Sequence, residues 1–154
     1  MEQRYELDLR MSESGIMIFK FTVPGKPVGK QRPKATIRGH RAGVYTPKET
    51  KVYERYVVAM FLQAYPCARP LEGEIKGEIK AFYPIPLSTS KKRKQAMLDG
   101  TIRPLVKPDL DNVEKIIYDA LNGIAYTDDS HITAMAITKH YSNNPRVEIT
   151  IEEV

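Results

Sequence analysis

Four segments of the chain are predicted to be β-strands, and in the second of them charged and apolar residues alternate with a period of two. The segments are 16–23, 72–83, 131–141 and 146–151. Pro24-Gly25 stops the first strand, and Pro84 ends the second. In the second segment one face is formed by Ile75, Gly77, Ile79, Ala81 and Tyr83. This segment is therefore predicted to be a strand with one buried face.

Two longer segments repeat apolar residues at helical spacing. The first follows Thr46-Pro47-Lys48-Glu49, which has the pattern of a capping box with proline at the first helical position. Its apolar positions are Tyr53, Tyr56, Val57, Met60, Phe61 and Ala64, and we expect it to end near Tyr65. The second runs from Asp111 to Asn122, with Gly123 just past its last turn. Its apolar stripe is formed by Val113, Ile116, Ile117, Ala120, Leu121 and Ile124. Both stripes require a sheet to pack against.

Three further segments complete the predicted architecture. Residues 35–37 and 43–45 are expected to pair as a short, mobile hairpin within a basic connection, and residues 88–100 as a short Lys-rich helix. Residues 1–15 are predicted to be an N-terminal extension of uncertain structure. The order of elements over residues 16–154 predicts a single-domain α+β fold, with a mixed β-sheet and two main helices packed on one face.

The charge of the chain is unevenly distributed. Lysine and arginine outnumber aspartate and glutamate by 24 to 19, and the excess lies in residues 24–60 and 88–107. Nucleic acid is the natural partner of such basic blocks, although solvated charge explains either block alone equally well. The candidate phosphate contacts are Lys30, Arg32, Lys34, Arg38, Lys91, Lys92, Arg93 and Lys107.

Several classes of protein are disfavoured by the composition. The single Cys67 excludes an intramolecular disulfide and a cysteine-based zinc site. The three histidines, His40, His131 and His140, lack the spacing of zinc ligands. No apolar run approaches the ~18 residues that a membrane span needs, and residues 1–13 do not resemble a signal peptide. We therefore expect a cytoplasmic protein without a membrane partner.

An acidic cluster follows the second basic block along the chain. It comprises Asp109, Asp111, Asp128 and Asp129, and Lys115 follows Asp111 by one helical turn. Carboxylates on a basic surface repel the polyanion that this surface attracts, and a bound divalent metal resolves the conflict by inverting the local charge. Oxygen ligands suit Mg²⁺. The sequence therefore indicates a metal-dependent nuclease.

Each of these residues also has an ordinary structural explanation. Asp109 or Asp111 could cap the helix, and Asp128-Asp129 could form a turn before a strand. Lys115 could form ion pairs with Asp111 and Asp119 along the helix. For each residue taken alone, the ordinary explanation is the better one.

The sequence allows two geometries for a metal site. A helix over residues 111–122 is roughly 18 Å long, and it separates Asp109 from Asp128-Asp129. The two acidic groups meet if the loop after the helix doubles back along it. They also meet if the second group is supplied by a partner subunit.

The chain resembles the RusA family of Holliday-junction resolvases in three strings of residues. These are Lys107-Pro-Asp-Leu-Asp-Asn-Val-Glu-Lys115, Asp119-Ala-Leu-Asn-Gly123 and Tyr126-Thr-Asp-Asp-Ser-His-Ile132. The start D-L-D-N-x-x-K and the end D-D-S-x-[IV] are specific to this family at this spacing. The resemblance covers residues 16–152 and does not obviously extend over residues 1–15.

This resemblance implies a homodimeric endodeoxyribonuclease that cuts four-way junctions with Mg²⁺, or with Mn²⁺ as a substitute. It implies metal binding and catalysis by Asp109, Asp111 and Asp129, and catalysis by Lys115. Asp128, as a further metal ligand, and Asp119 are supporting residues. Two departures are notable: His131 replaces an expected glutamine, and the insert at 88–107 is longer than in the smallest members. Neither removes a catalytic position.

We therefore expect hydrolysis of DNA phosphodiesters in recombination and repair, with Lys115 neutralising charge on the phosphate. A two-fold symmetric dimer would present two equivalent sites to a four-way junction. The alternative is a structure-selective DNA-binding protein without nuclease activity, whose acidic cluster serves folding. A third candidate is a small metal-dependent nucleotide hydrolase.

Overall fold

The strands and helices follow the order that the sequence predicts. A computed structural model describes residues 15–154, so nearly all of the predicted extension 1–15 lies outside the described residues. The strands are β1 Ile18–Pro24, β2 Lys34–Arg38, β3 Arg41–Tyr45, β4 Ile75–Pro84, β5 Ile132–Ser142 and β6 Arg146–Glu153. The α-helices are α1 Lys48–Ala64, α2 Lys91–Leu98 and α3 Leu110–Leu121, and a 3-10 helix, Asp129–His131, precedes β5.

Four of the strands form one mixed sheet in the order β1-β6-β4-β5. Strands β1 and β4 each run antiparallel to β6, whereas β5 runs parallel to β4. A parallel pair needs a crossover connection, and α3 lies in it. The prediction of a mixed sheet in an α+β fold is confirmed.

The two ends of this sheet carry different groups. We call the end at which β1, β4 and β5 finish, at Pro24, Pro84 and Ser142, the carboxyl edge. The opposite end, where β4 and β5 begin at Ile75 and Ile132, is the amino edge. Because β4 and β5 are parallel, α3 starts at the carboxyl edge and finishes at the amino edge.

The hydrophobic core lies between one face of the sheet and the two main helices. Alternate residues of β1, β4 and β6 are buried on this face. Helix α1 covers part of it with Phe61, whose ring packs edge-on against Phe19 and Phe21. Helix α3 contributes a buried stripe formed by Val113, Ile116, Ile117, Tyr118, Ala120 and Leu121. The predicted packing of both main helices on one face is thereby confirmed.

The start of α1 differs from the prediction. Pro47 occupies the N-cap position, and no side chain caps the helix. The expected capping box between Thr46 and Glu49 is therefore wrong, because the helix begins one residue later than that motif requires. Tyr56, expected in the core, is 37% exposed because it lies toward the solvent side of α1, whereas Tyr53 is buried.

Strands β2 and β3 form a separate two-stranded sheet, so the predicted hairpin is confirmed. Its turn is Gly39-His40, and Gly39 has a φ of 62°, a left-handed conformation that glycine adopts without steric cost. None of the helices within residues 15–154 is long and apolar enough to cross a membrane.

Close packing of α3 on β4 depends on Gly77. A Cβ atom added at Gly77 would lie 1.9 Å from the Tyr118 hydroxyl oxygen and 2.8 Å from its Cζ. Glycine is therefore required at this strand position by the aromatic ring above it. The ring in turn fixes the height of α3 over the sheet.

Replacing Gly77 with alanine should destabilise the protein by about 1–3 kcal/mol, because the added methyl group overpacks a filled core. The matched control is Gly43→Ala in β3, where the nearest atom, Thr36 Cγ2, lies 3.7 Å from the new Cβ. Urea unfolding followed by circular dichroism measures both variants. An unchanged midpoint for Gly77→Ala would contradict the close contact of α3 with β4.

Candidate functional site

Two of the predicted site aspartates lie at the start of α3, on the carboxyl edge. Asp109 occupies the N-cap position, and Asp111 lies in the first turn. The Tyr83 hydroxyl, near the end of β4, donates a hydrogen bond of 2.5 Å to the Pro108 carbonyl oxygen and ties the start of the helix to the sheet. Negative charge is favourable here because a helix N-terminus carries a partial positive charge.

The Asp109 carboxylate is not used to cap the helix. No side-chain hydrogen bond caps α3, and this carboxylate pairs with the Lys107 ammonium at 2.7 Å. The Lys107 side chain is 83% exposed, so the pair contributes little to stability. Burial of Tyr83, together with the negative charge of Asp109, raises the pKa of Tyr83 to about 12. The tyrosine hydroxyl therefore stays a proton donor at neutral pH.

The connection that follows β1 packs directly on this first turn of α3. The Lys30 amide donates a hydrogen bond of 2.8 Å to the Asn112 carbonyl oxygen. A Cβ atom at Gly29 would lie 2.8 Å from Pro108 Cβ and 3.0 Å from Asn112 Cβ. Glycine is thus needed for the close approach of two backbones, and the connection holds the aspartate-bearing turn in place.

The Lys30 ammonium, a predicted phosphate contact, is held by two carboxylates in this structure. It lies 2.5 Å from Glu54 of α1 and 3.2 Å from Asp119 of α3, and its side chain is only 18% exposed. Burial lowers its pKa, but the hydrogen bonds to Glu54 and Asp119 outweigh burial and leave the pKa above its ordinary value. Lys30 therefore links both main helices to the connection after β1.

The second pair of aspartates lies at the amino edge. The Asp129 amide donates a hydrogen bond of 3.1 Å to Oδ1 of Asn122, the residue that ends α3. The Asp128 side chain caps the 3-10 helix before β5. Hydrogen bonds from the hydroxyl and amide of Ser130 lower the pKa of Asp128. Asp128 therefore stabilises the turn before β5, as its ordinary structural explanation proposes.

The two acidic groups are separated by the length of α3. Twelve residues of helix span roughly 18 Å. The loop after α3 does not double back, since the Thr127 amide bonds the Leu71 carbonyl oxygen below the start of β4. Within residues 15–154, no three acidic, histidine or cysteine side chains come close enough to hold a metal ion. In the described residues the loop therefore does not bring the two aspartate pairs together.

Lys115 lies on α3, one turn beyond Asp111, and its side chain is exposed. Among the described residues it forms no ion pair within 4.0 Å, and Asp119 is paired with Lys30 instead. The expected ion pairs of Lys115 with Asp111 and Asp119 are therefore not formed. Its ammonium group is left facing solvent beside the first turn of the helix.

Most of the predicted phosphate contacts are exposed and lie on segments that leave the carboxyl edge. Arg32, Lys34 and Arg38 follow the end of β1, and Lys91, Lys92 and Arg93 form the first turn of α2 after β4. The fold thus brings the two basic blocks to the end of the sheet that carries Asp109 and Asp111. Their contact with DNA stays a prediction.

A cluster of side chains that the sequence did not predict ties the 101–108 loop to β5. The Arg103 guanidinium donates to the Lys139 carbonyl oxygen and lies 2.6 Å from His140 Nδ1. The His140 ring stacks on Phe82. The pKa of His140 is lowered mainly by burial and also by the positive charge of Arg103. Lys139 in turn donates to the Val106 carbonyl oxygen. No spacing in the sequence signals these contacts, because they join segments more than 30 residues apart.

Strand β5 is an edge strand with little cover on its first half. It pairs only with β4, and Thr133, Ala134, Met135 and Ala136 are all exposed. An apolar edge with unpaired backbone groups is a template for pairing with another chain. Acidic residues, Asp128 and Asp129, precede the start of β5. Basic residues, Lys139 of the strand and Arg103 of the neighbouring loop, lie toward its end.

Two comparisons with known proteins bear on these residues. The family model described as Endodeoxyribonuclease RusA matches residues 24–152. The chain is also 39% identical over 137 residues to an uncharacterized protein, YqaN, of Bacillus subtilis (strain 168). That match covers 88% of this chain and 96% of the Bacillus protein. The family match spans the carboxyl edge, the acidic groups and β5.

Replacing Lys30 with methionine should lower the free energy of unfolding by about 1–3 kcal/mol, because Glu54 and Asp119 lose a charged hydrogen-bond donor and repel each other. Lys80→Met is the matched control, since the Lys80–Glu78 pair is about half exposed on the other sheet face and such pairs contribute under about 1 kcal/mol. Chemical denaturation compares them. Equal, small effects would show that the Lys30 pairs do not hold α1 and α3 together.

Proposed function

Because the chain belongs to the RusA family of endodeoxyribonucleases, we propose that it is a metal-dependent nuclease that resolves Holliday junctions by hydrolysing phosphodiester bonds. The observation that carries this proposal is the pair Asp109 and Asp111 at the start of α3, on an edge otherwise populated by basic residues. Neither carboxylate makes a capping hydrogen bond to the helix. A cation site would explain why both lie on this basic edge.

The donor atoms at the carboxyl edge fit a hard divalent cation, Mg²⁺ or its substitute Mn²⁺. Mg²⁺ is usually held by one or two carboxylates, with water and phosphate completing its shell. Asp109 and Asp111 would supply these carboxylates, and a bound ion would provide Lewis-acid assistance to hydrolysis. Within residues 15–154, no third acidic, histidine or cysteine side chain lies close enough to join them.

We propose that a second copy of the chain supplies the missing carboxylate through antiparallel pairing of the two β5 strands. Antiparallel pairing across a two-fold axis sets the first end of one β5 beside the last end of the other. The partner's Asp128 and the partner's Asp129 would then approach the carboxyl edge, where Asp109 and Asp111 lie. The acidic start and basic end of β5 favour this direction of pairing.

The remaining residues would bind and orient the DNA. Lys115, exposed beside Asp111, would neutralise charge that develops on the phosphate during hydrolysis. Arg32, Lys34, Arg38 and the first turn of α2 would hold phosphates without reading sequence. Two equivalent sites in a symmetric dimer would match the approximate two-fold symmetry of a four-way junction.

Asp111→Asn should reduce cleavage of a fixed four-way junction in Mg²⁺ by about 100-fold or more. Binding of the same junction should be kept or tightened, because a negative charge is removed from a basic edge. The matched control is Glu78→Gln, an exposed carboxylate on the opposite face of the sheet. A gel assay of cleavage and a gel shift without metal measure both. A DNA-binding protein without nuclease activity would show no metal-dependent cutting even in the wild type.

A mixed dimer of Asp111→Asn and Asp129→Asn chains should regain cleavage that neither homodimer has. If the site is shared, one of its two sites combines wild-type Asp111 with the partner's wild-type Asp129. Differently tagged chains, co-expressed and purified through both tags, provide the mixed dimer. A site built within one chain would leave both halves of the mixed dimer inactive, and the proposed sharing would then be wrong.

A further inference from the structure

The β2–β3 hairpin sorts its side chains onto two chemically different faces. Cross-strand partners share a face, so the register pairs Ala35 with Val44 and Ile37 with Ala42 on one side. The other side carries the pairs Lys34–Tyr45, Thr36–Gly43 and Arg38–Arg41. One face of the hairpin is therefore apolar and the other is basic.

The apolar face is open to solvent. Ile37 is 77% exposed and Val44 is 71% exposed, the largest values for any isoleucine or valine among the exposed residues of the described chain. Neither the main sheet nor a helix covers them, since all of β3 and all of β2 except Thr36 are exposed. A face of branched aliphatic side chains at the tip of a basic hairpin is available to a partner.

The base of the hairpin fixes where this face is presented. On one side it is anchored by the Lys30 amide on the Asn112 carbonyl oxygen, one residue from Asp111. On the other side Pro47 and Thr50 are buried at the start of α1. The hairpin therefore projects from the carboxyl edge, beside the aspartates of the proposed nuclease site.

The charges around the apolar face favour nucleic acid as its occupant. Lys34, Arg38 and Arg41 lie on the opposite face of the same two strands, and no acidic residue lies between Lys34 and Tyr45. Two copies of this hairpin would repel each other at close range. A polyanion is attracted by the basic face, and its bases offer apolar surface to the other face.

We infer that the apolar face of this hairpin, centred on Ile37 and Val44, packs against unstacked bases at the branch point of a DNA junction. This inference rests on the proposed function and adds the element that selects branched over linear DNA. Apolar side chains inserted between bases must disrupt stacking, which costs a few kcal/mol in duplex DNA. That cost is smallest where bases are already imperfectly stacked, as at a branch point.

The test uses Ile37→Thr combined with Val44→Thr, which keeps the strand preference and the charge of the hairpin. A four-way junction with 2-aminopurine beside the branch point reports unstacking as a rise in fluorescence. The wild type should raise the fluorescence, and the double variant should lose most of this rise. Its dissociation constant for the junction should increase about tenfold, while that for linear duplex stays the same.

Two further variants sharpen the comparison. Val52→Thr makes the same type of change at an exposed valine of α1, and it should behave as the wild type. Ile37→Phe keeps an apolar side chain at the hairpin, and it should retain the fluorescence rise. Thermal unfolding should be nearly unchanged in all variants, because Ile37, Val44 and Val52 are all exposed.

Several results would overturn the inference while leaving the nuclease proposal intact. One is an unchanged fluorescence rise in a double variant that still cuts junctions. Another is an equal loss of affinity for the junction and for linear duplex. A change of oligomeric state by light scattering would assign the face to a second copy. Loss of binding to anionic lipid vesicles, with junction binding kept, would assign it to a membrane. If the wild type neither binds nor cuts junctions, the proposed function fails and this inference fails with it.

Discussion

The parallel pairing of β4 and β5 is the constraint on which the other features of the molecule depend. A parallel pair needs a connection that crosses the whole sheet, and α3 provides it. Gly77 lets α3 lie close to β4, because the Tyr118 ring occupies the space above it. The direction of α3 sets Asp109 and Asp111 at one edge of the sheet and Asp128 and Asp129 at the other. This topology keeps the two pairs of aspartates apart within one chain.

The backbone at the carboxyl edge is held in place by contacts at several points. The Tyr83 hydroxyl and the Lys30 amide hold the first turn of α3 against the sheet and the connection after β1. The Lys30 ammonium links Asp119, further along α3, to Glu54 of α1. Lys107, just before this turn, and Lys115, one turn beyond Asp111, have exposed basic side chains. The arrangement gives a fixed pair of carboxylates within a positive surface, which is what binding a cation and a polyanion together requires.

Local patterns in the sequence were enough to predict most of the fold. Alternation from Ile75 to Tyr83 predicted the buried face of β4, and the apolar stripe of α3 predicted its packing, because both are set by residues close in sequence. The capping box at Thr46 failed because a one-residue shift in helix start removes it. The length of a helix over residues 111–122 implied that the aspartate pairs lie apart unless the loop after the helix doubles back, and the loop does not.

Contacts between distant segments could not be predicted in this way. Lys30 has the same local context as the other basic residues near it, and only the folded chain brings Glu54 and Asp119 to its ammonium. The link from Arg103 to His140 likewise depends on the path of a loop. The two faces of the hairpin became evident only once its register was known, because a shift by one residue would exchange them.

The most direct test of the shared acidic site is anomalous X-ray diffraction from crystals of the full-length protein grown with Mn²⁺. We expect an anomalous peak on the carboxyl edge, contacted by Asp109 and Asp111 of one chain and by the partner's Asp129. A peak bound entirely by the residues of one chain, or one far from Asp109 and Asp111, would contradict it.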